Sequence, residues 1–187
     1  MPRGGSTSIP KMQHHRASGR ARVLLSGRHH YLGPWGSREA QAEYDRLIGE
    51  WIAGGRTLMV GAAGPLTVGE LCDAYSRFAL ATFIKAGRPT STVHKVNRAV
   101  YLLERAGFAD HTVAHFTPPD LKRFQHWLAQ HPKARWTRST INEYVRTVIA
   151  MFRWAVGEGW VAETVHRALE AVGPLRKGRA IPGAPGP

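Results

Sequence analysis

The residues of this chain that could bind a ligand are mainly cations, and many lie near its N-terminal end. The 187-residue sequence holds 26 Lys and Arg against 13 Asp and Glu, for a formal charge of +13. No acidic residue precedes Glu39. Such an excess of positive charge favours a polyanionic partner, because Lys and Arg displace the counterions of a phosphate backbone. The N-terminal cations that we expect to contact it are Arg16, Arg20, Arg22 and Arg28.

Two histidine pairs could bind a metal ion, but the residues around them in the sequence do not supply further metal ligands. No carboxylate or cysteine accompanies His14-His15 or His29-His30, so we interpret them as surface or groove-facing histidines. The single cysteine, Cys72, excludes a disulfide framework and a cysteine zinc site. Ser, His and Asp occur without a nucleophile-elbow sequence, which disfavours an enzyme built on them. We expect no cofactor and no small-molecule substrate. Four tryptophans are more typical of core or loop contacts than of base stacking: Trp35, Trp127, Trp136 and Trp160.

The N-terminal cations must be carried by structural elements, and the sequence predicts a small sheet with one helix. Turn signals flank a strand at 21–25, and a second run at 29–32 ends at Gly33-Pro34. We expect three short antiparallel strands there. The apolar period then becomes helical, with Ser37 as the N-cap and Gly54-Gly55 as the stop. The first module is therefore predicted to be α+β.

A Gly-rich, aperiodic segment at 56–66 is typical of a linker, and an all-α bundle of four or five helices is predicted after it. Thr67 and Glu70 form a capping-box pattern for the first helix, which the break at Gly87-Arg88-Pro89 ends. Later helices are predicted to begin at Thr90 or Ser91, at Thr117, and at Ser139 or Thr140, with a short fifth around 165–172.

Two helices of the predicted bundle carry basic stripes opposite their apolar faces. At 100° per residue, Lys95, Arg98 and Arg105 oppose the valine stripe of the second helix. On the fourth helix Asn142, Arg146 and Arg153 share a stripe away from the core face, and Lys133, Arg135 and Arg138 precede it. Each stripe alone is equally consistent with a solvated helix face, but two of them in a +13 chain favour DNA.

The fourth predicted helix resembles a helix of a known protein family. The run Asn142 to Val161, NEYVRTVIAMFRWAVGEGWV, is similar to the last long helix of the core-binding domain in phage-type tyrosine recombinases, which ends in a similar WA-x-x-x-G pattern. The resemblance implies a bundle that grips duplex DNA with its second and fourth long helices. The frequent Asn-Pro of that family is replaced here by Ala162-Glu163.

The N-terminal module resembles a second element of the same family. The run GRHHYLGPWGSREAQAEYDRL is similar to the strand-turn-helix of AP2-like arm-binding domains, including their YLG…A…YD pattern. Such domains lay a three-stranded sheet in the groove of duplex DNA. Together with the composition of the remaining segments, the resemblances give the expected organisation: a flexible basic tail at 1–10, an arm-binding module at 11–55, a linker at 56–66, a core-binding domain at 67–173 and a flexible tail at 174–187.

The catalytic constellation of that family is absent from the sequence. Tyrosine recombinases need a tyrosine nucleophile and a phosphate clamp that includes an HxxR element, and no HxxR occurs here. We therefore expect the DNA-holding portion of an integrase, not an enzyme by itself, with other integrase protomers as further partners.

Two other classes of function stay open. One is a non-catalytic regulator or adaptor that occupies recombination sites or binds the full integrase, and the other is an RNA-associated basic protein. No apolar run approaches the roughly 20 residues of a membrane span, so we expect no membrane partner. The sequence predicts a cytoplasmic chain associated with the nucleoid.

Overall fold

The computed structural model describes residues 8–16, 18–26, 28–56, 65–131 and 136–176. Its contacts divide the chain into two compact units, Met1–Pro65 and Leu66–Pro187. The predicted fold class is confirmed, since an antiparallel sheet with one helix is followed by a helical bundle. Of the predicted linker, residues 57–64 lie outside the described part of the chain.

The first unit is a sheet of three antiparallel strands in the order β1-β2-β3, packed on one helix. The strands are β1 (Gln13–His15), β2 (Arg20–Leu25) and β3 (Arg28–Pro34), and the helix is α1 (Arg38–Ala53). The predicted N-cap is confirmed, because the Ser37 hydroxyl accepts a hydrogen bond from the Ala40 N–H at 3.1 Å.

Alternation along β2 decides which face of this sheet is buried. Ala21, Val23 and Leu25 are buried and form one core cluster with Leu47 and Trp51 of α1. Burying a side chain as large as Leu47 stabilises the unit by about 1.5–3 kcal/mol. The other face of β2 therefore points away from α1.

In its described residues, the second unit is a bundle of five α-helices, within the four or five that were expected. They are α2 (Val68–Thr82), α3 (Ser91–Leu103), α4 (Pro118–Gln130), α5 (Arg138–Gly157) and α6 (Glu163–Glu170). A capping box at Thr67 and Glu70 begins α2, as predicted. Helix α5 packs against the other four helices and contributes the largest share of the common core. No helix in the described ranges is both long and apolar enough to cross a membrane.

Two local features differ from the sequence prediction. The break predicted at Gly87-Arg88-Pro89 is a two-stranded hairpin of β4 (Ile84–Lys85) and β5 (Arg88–Pro89). Its two central residues both have positive φ, which the tight turn of a hairpin requires. The start of α5 was placed wrongly at Ser139 or Thr140, because the helix begins earlier and Thr137 is its N-cap.

The last turn of the helical segment that contains α3 is unusual. A π-helical turn at Glu104–Phe108 continues the helix, and Gly107 closes it with a φ of 91°. This left-handed conformation is one that glycine adopts at little cost. A short 3-10 turn, Val113–His115, then leads to α4.

Candidate nucleic-acid interface

One face of the three-stranded sheet lies away from α1 and carries polar, basic and aromatic side chains. Arg22 pairs across the strands with Gln13 and Tyr31, and Arg20 pairs with His15. Directly paired residues of antiparallel strands point to the same side of a sheet. We call this the open sheet face and define it by Gln13, His15, Arg20, Arg22, Leu24 and Tyr31.

The side chains of the open sheet face hold one another in place. The Tyr31 hydroxyl lies 3.1 Å from His15 Nδ1, which in turn lies 2.9 Å from Ser18 Oγ. The guanidinium of Arg20 sits 5.9 Å from the centre of the Tyr31 ring. Arg20 and Arg22 are half-buried, more enclosed than the exposed position that strand alternation predicts. Because such contacts reduce rotamer freedom, Arg20 is preorganised for a ligand, and Arg22 lies across the strands from Tyr31 on the same face.

Charge is segregated between the sheet and the helix of this unit. All four acidic residues of the unit lie on α1. On α1, the Arg46 guanidinium lies 2.6 Å from Glu43, and its hydrogen bonds lower the pKa of Glu43, so that this carboxylate stays ionised. The strands and their turns carry cations and no carboxylate. The strand side is therefore the side of the unit that attracts an anion.

The other N-terminal residues singled out in the sequence differ in their exposure to solvent. Arg16 is exposed in the turn after β1. Arg28 begins β3, and its side chain lies outside the described part of the chain. The interpretation of the histidine pairs as surface residues is wrong for His29 and His30, which are both buried. His14 is exposed and stacks on Trp35, with 5.0 Å between ring centres.

The basic stripe on α3 is exposed but partly engaged in contacts within the bundle. Lys95 Nζ lies 2.6 Å from the Glu143 carboxylate of α5. The guanidinium of Arg98 lies 5.8 Å from the ring centre of Trp136. Arg105 is exposed in the π-helical turn. An exposed ion pair like that of Lys95 contributes little to stability, so a phosphate could replace Glu143 at small cost.

The stripe on α5 is divided between a cationic part and a structural part. Arg146 and Arg153 are exposed and Arg138 is half-buried. The Asn142 amide instead holds the chain after α6, since its Nδ2 donates to Leu175 O at 3.1 Å and its Oδ1 accepts from Leu175 N at 2.8 Å. We therefore assign Asn142 to the fold and not to a ligand.

The other DNA-binding residues predicted in the bundle either line a groove or lie outside the described residues. Lys133 and Arg135 belong to the segment 132–135, which the structure does not describe. Arg153 borders a groove between α5 and α6 with both acidic and basic neighbours. The other residues of that groove are Val156, Glu163, His166, Arg167 and Glu170.

Sequence reasoning missed one feature in each of the two units. The contact between Tyr31 and His15 joins residues 16 positions apart and depends on strand register. The hairpin β4–β5 adds two exposed cations, Lys85 and Arg88, between α2 and α3. The sequence does indicate a cationic region around the hairpin, because it has no acidic residue between Asp73 and Glu104.

Metal-binding side chains are not assembled in the described ranges. No group of three His, Cys, Asp or Glu side chains there could hold a metal ion. Burial raises the pKa of the Cys72 thiol well above its ordinary value, which disfavours the nucleophilic thiolate. The Tyr44 hydroxyl donates to Pro10 O at 2.8 Å, and Tyr75 is buried. Comparison with protein-family models, with curated proteins and with solved structures finds no match for this chain.

Proposed function

We propose that this protein binds duplex DNA as the DNA-holding portion of a site-specific tyrosine recombinase and does not itself catalyse strand transfer. The observation that carries the proposal is the open sheet face, where Arg20 is held against the Tyr31 ring and Arg22 lies opposite Tyr31 across the strands. The acidic residues of the same unit lie on α1, behind the sheet. A surface that carries cations and no carboxylate is suited to binding the phosphate backbone of a nucleic acid.

The dimensions of the sheet support a groove contact. Strands that are hydrogen-bonded to each other lie about 4.8 Å apart, so the outer two of three strands are separated by roughly 10 Å. The major groove of B-DNA is about 12 Å wide and accepts a strand element of this size. Arginine can donate two hydrogen bonds to guanine at the floor of that groove, while cations at the edge contact phosphates.

The bundle supplies the second set of contacts in this proposal. Arg146 and Arg153 project from α5, and Lys95 and Arg98 project from the neighbouring α3. The second unit holds 17 Lys and Arg against 9 Asp and Glu, a net charge of +8, and the first unit holds 9 against 4, a net charge of +5. A non-catalytic regulator that occupies recombination sites would use the same surfaces. The partner proteins would distinguish such a regulator from the DNA-holding portion of a recombinase.

The test is a DNA-binding isotherm measured at several salt concentrations. We expect the affinity of the intact chain for duplex DNA to fall by at least tenfold between about 50 and 200 mM salt, because each phosphate contact contributes about 0.9 to the slope of log K against log salt. Arg20→Ala with Arg22→Ala should weaken binding by roughly tenfold or more, with an unchanged circular dichroism spectrum.

The matched control removes two arginines from α1, with Arg38→Ala and Arg46→Ala. These side chains project from the helix and not from the open sheet face, so the control should bind nearly as tightly as the wild-type protein. A flat salt dependence, an equal loss in both double variants, or a preference for single-stranded RNA over duplex DNA would contradict the proposal.

A further inference from the structure

The hairpin β4–β5 projects its side chains away from the bundle. Ile84 pairs with Pro89 and Lys85 pairs with Arg88 across a turn of two residues. The Thr90 N–H donates to Phe83 O at 2.9 Å and closes the hairpin at its base. All six residues of 84–89 are exposed, and none of them belongs to the buried core cluster. The hairpin therefore adds little to the packing of the bundle.

The hairpin contains two locally unfavourable features. Lys85 lies directly opposite Arg88, so the two cations point to the same side with their Cβ atoms about 5 Å apart, an arrangement that destabilises a strand pair. Ala86 has a φ of 50°, in the left-handed region that a residue with a side chain disfavours. In the part of the chain that the structure describes, neither Lys85 nor Arg88 forms an ion pair or a hydrogen bond with a side chain.

The surroundings of the hairpin in the chain are also cationic. The stretch from 74 to 103 contains no acidic residue, and the hairpin lies near its middle. Helix α3 begins at Ser91, directly after the hairpin, and carries Lys95 and Arg98 on its exposed side. This stretch therefore contains no carboxylate side chain that could neutralise the positive charge of the hairpin.

We propose that the hairpin is a phosphate-binding element, in which Lys85 and Arg88 together hold a backbone phosphate of duplex DNA. A phosphate between the two cations converts their repulsion into two attractive contacts, one from a point-charge ammonium and one from a planar guanidinium. The turn residues Ala86 and Gly87 are small, so the backbone can approach the DNA closely. This inference rests on the proposed function, because it names a further contact to the same DNA.

The experiment compares three forms of the full-length chain in duplex-DNA binding isotherms between about 50 and 200 mM salt. The first is the wild type, and the second is Lys85→Gln with Arg88→Gln, which removes two cations without burying a polar group. The third is a charge-matched control, Arg77→Gln with Lys122→Gln, from exposed positions of α2 and α4. We expect the hairpin variant to bind about tenfold to a hundredfold more weakly at 0.1 M salt, with a slope flatter by about two. The control should stay within about threefold of the wild type.

A charge reversal separates binding from folding. Lys85→Glu places a carboxylate opposite Arg88, so it should raise the thermal unfolding temperature or leave it unchanged while weakening DNA binding more than Lys85→Gln does. A structural role for Lys85 would instead change stability and binding in the same direction.

The outcomes distinguish this inference from the proposed function. If the wild type does not bind duplex DNA, the proposed function is wrong and the inference falls with it. If the wild type binds and the hairpin variant matches its affinity and salt slope, or if the control loses as much as the hairpin variant, only the phosphate-binding hairpin is overturned.

Discussion

Asn142 shows how a polar side chain on a basic helix face can serve the fold instead of a ligand. Its amide donates to and accepts from the backbone of Leu175, 33 positions later in the chain. Gln125 of α4 is buried and donates to Gly173 O at 3.4 Å. Two amides from different helices therefore hold the segment after α6 against the bundle.

The first prediction concerns the stability contributed by this clamp. Asn142→Ala should lower the free energy of unfolding by about 1–2 kcal/mol, because two hydrogen bonds to a partly buried backbone are lost. Chemical denaturation with urea measures this difference. DNA affinity should change by less than about twofold, since the amide is already occupied within the protein.

Asn97→Ala is the matched control for this substitution. Asn97 is exposed on α3, so its removal should change stability by no more than about 0.5 kcal/mol. If Asn142→Ala preserved stability and abolished DNA binding, Asn142 would belong to the interface after all.

At the scale of elements, the start of α5 shows a limit of reading capping signals from sequence. Thr137, Ser139 and Thr140 are all residue types that can cap a helix. In the structure the Thr137 hydroxyl accepts from the Thr140 N–H at 3.3 Å, and the backbone of Thr137 is extended. These residue types differ little as caps, so the observed cap geometry, and not residue type alone, identifies where the helix begins.

The second prediction follows from that cap. Thr137→Ala should destabilise the protein by about 1 kcal/mol, because it leaves an N–H of the first helical turn without its side-chain partner. Ser139→Ala should stay within about 0.5 kcal/mol of the wild type, since Ser139 is exposed inside the helix. Thermal or urea unfolding of both variants checks this, and a larger effect of Ser139→Ala would restore the later helix start.

At the scale of the whole molecule, the protein consists of two units that each have their own core. One cluster joins the strands to α1, and a separate larger cluster joins α2 to α6. Both units carry an excess of Lys and Arg. Each unit therefore has a core of its own and a net positive charge.

The third prediction is that the two units bind separable DNA sites. The fragments 1–56 and 65–187 should each fold by circular dichroism and each shift duplex DNA in a gel. The intact chain should bind more tightly than either fragment only on DNA that carries both sites at a spacing the linker can span. If only one fragment binds, the bipartite interpretation fails.

Local pattern determined much of the architecture. The change from alternating to helical apolar period predicted the sheet-plus-helix module and the bundle, because strand and helix periods are properties of neighbouring residues. The same arithmetic placed Val93, Val96 and Val100 inward on α3, and all three are buried. It also left Lys95, Arg98 and Arg146 on exposed faces, where the structure has them.

Contacts between distant residues were decided only by the tertiary structure. The side-chain contact between Tyr31 and His15 depends on strand register, which shifts between Ala21 and Arg22. The clamp of Asn142 on Leu175 depends on where the chain returns after α6. These side chains are polar on otherwise solvated faces, and periodicity can place a residue on a face without saying what it meets there.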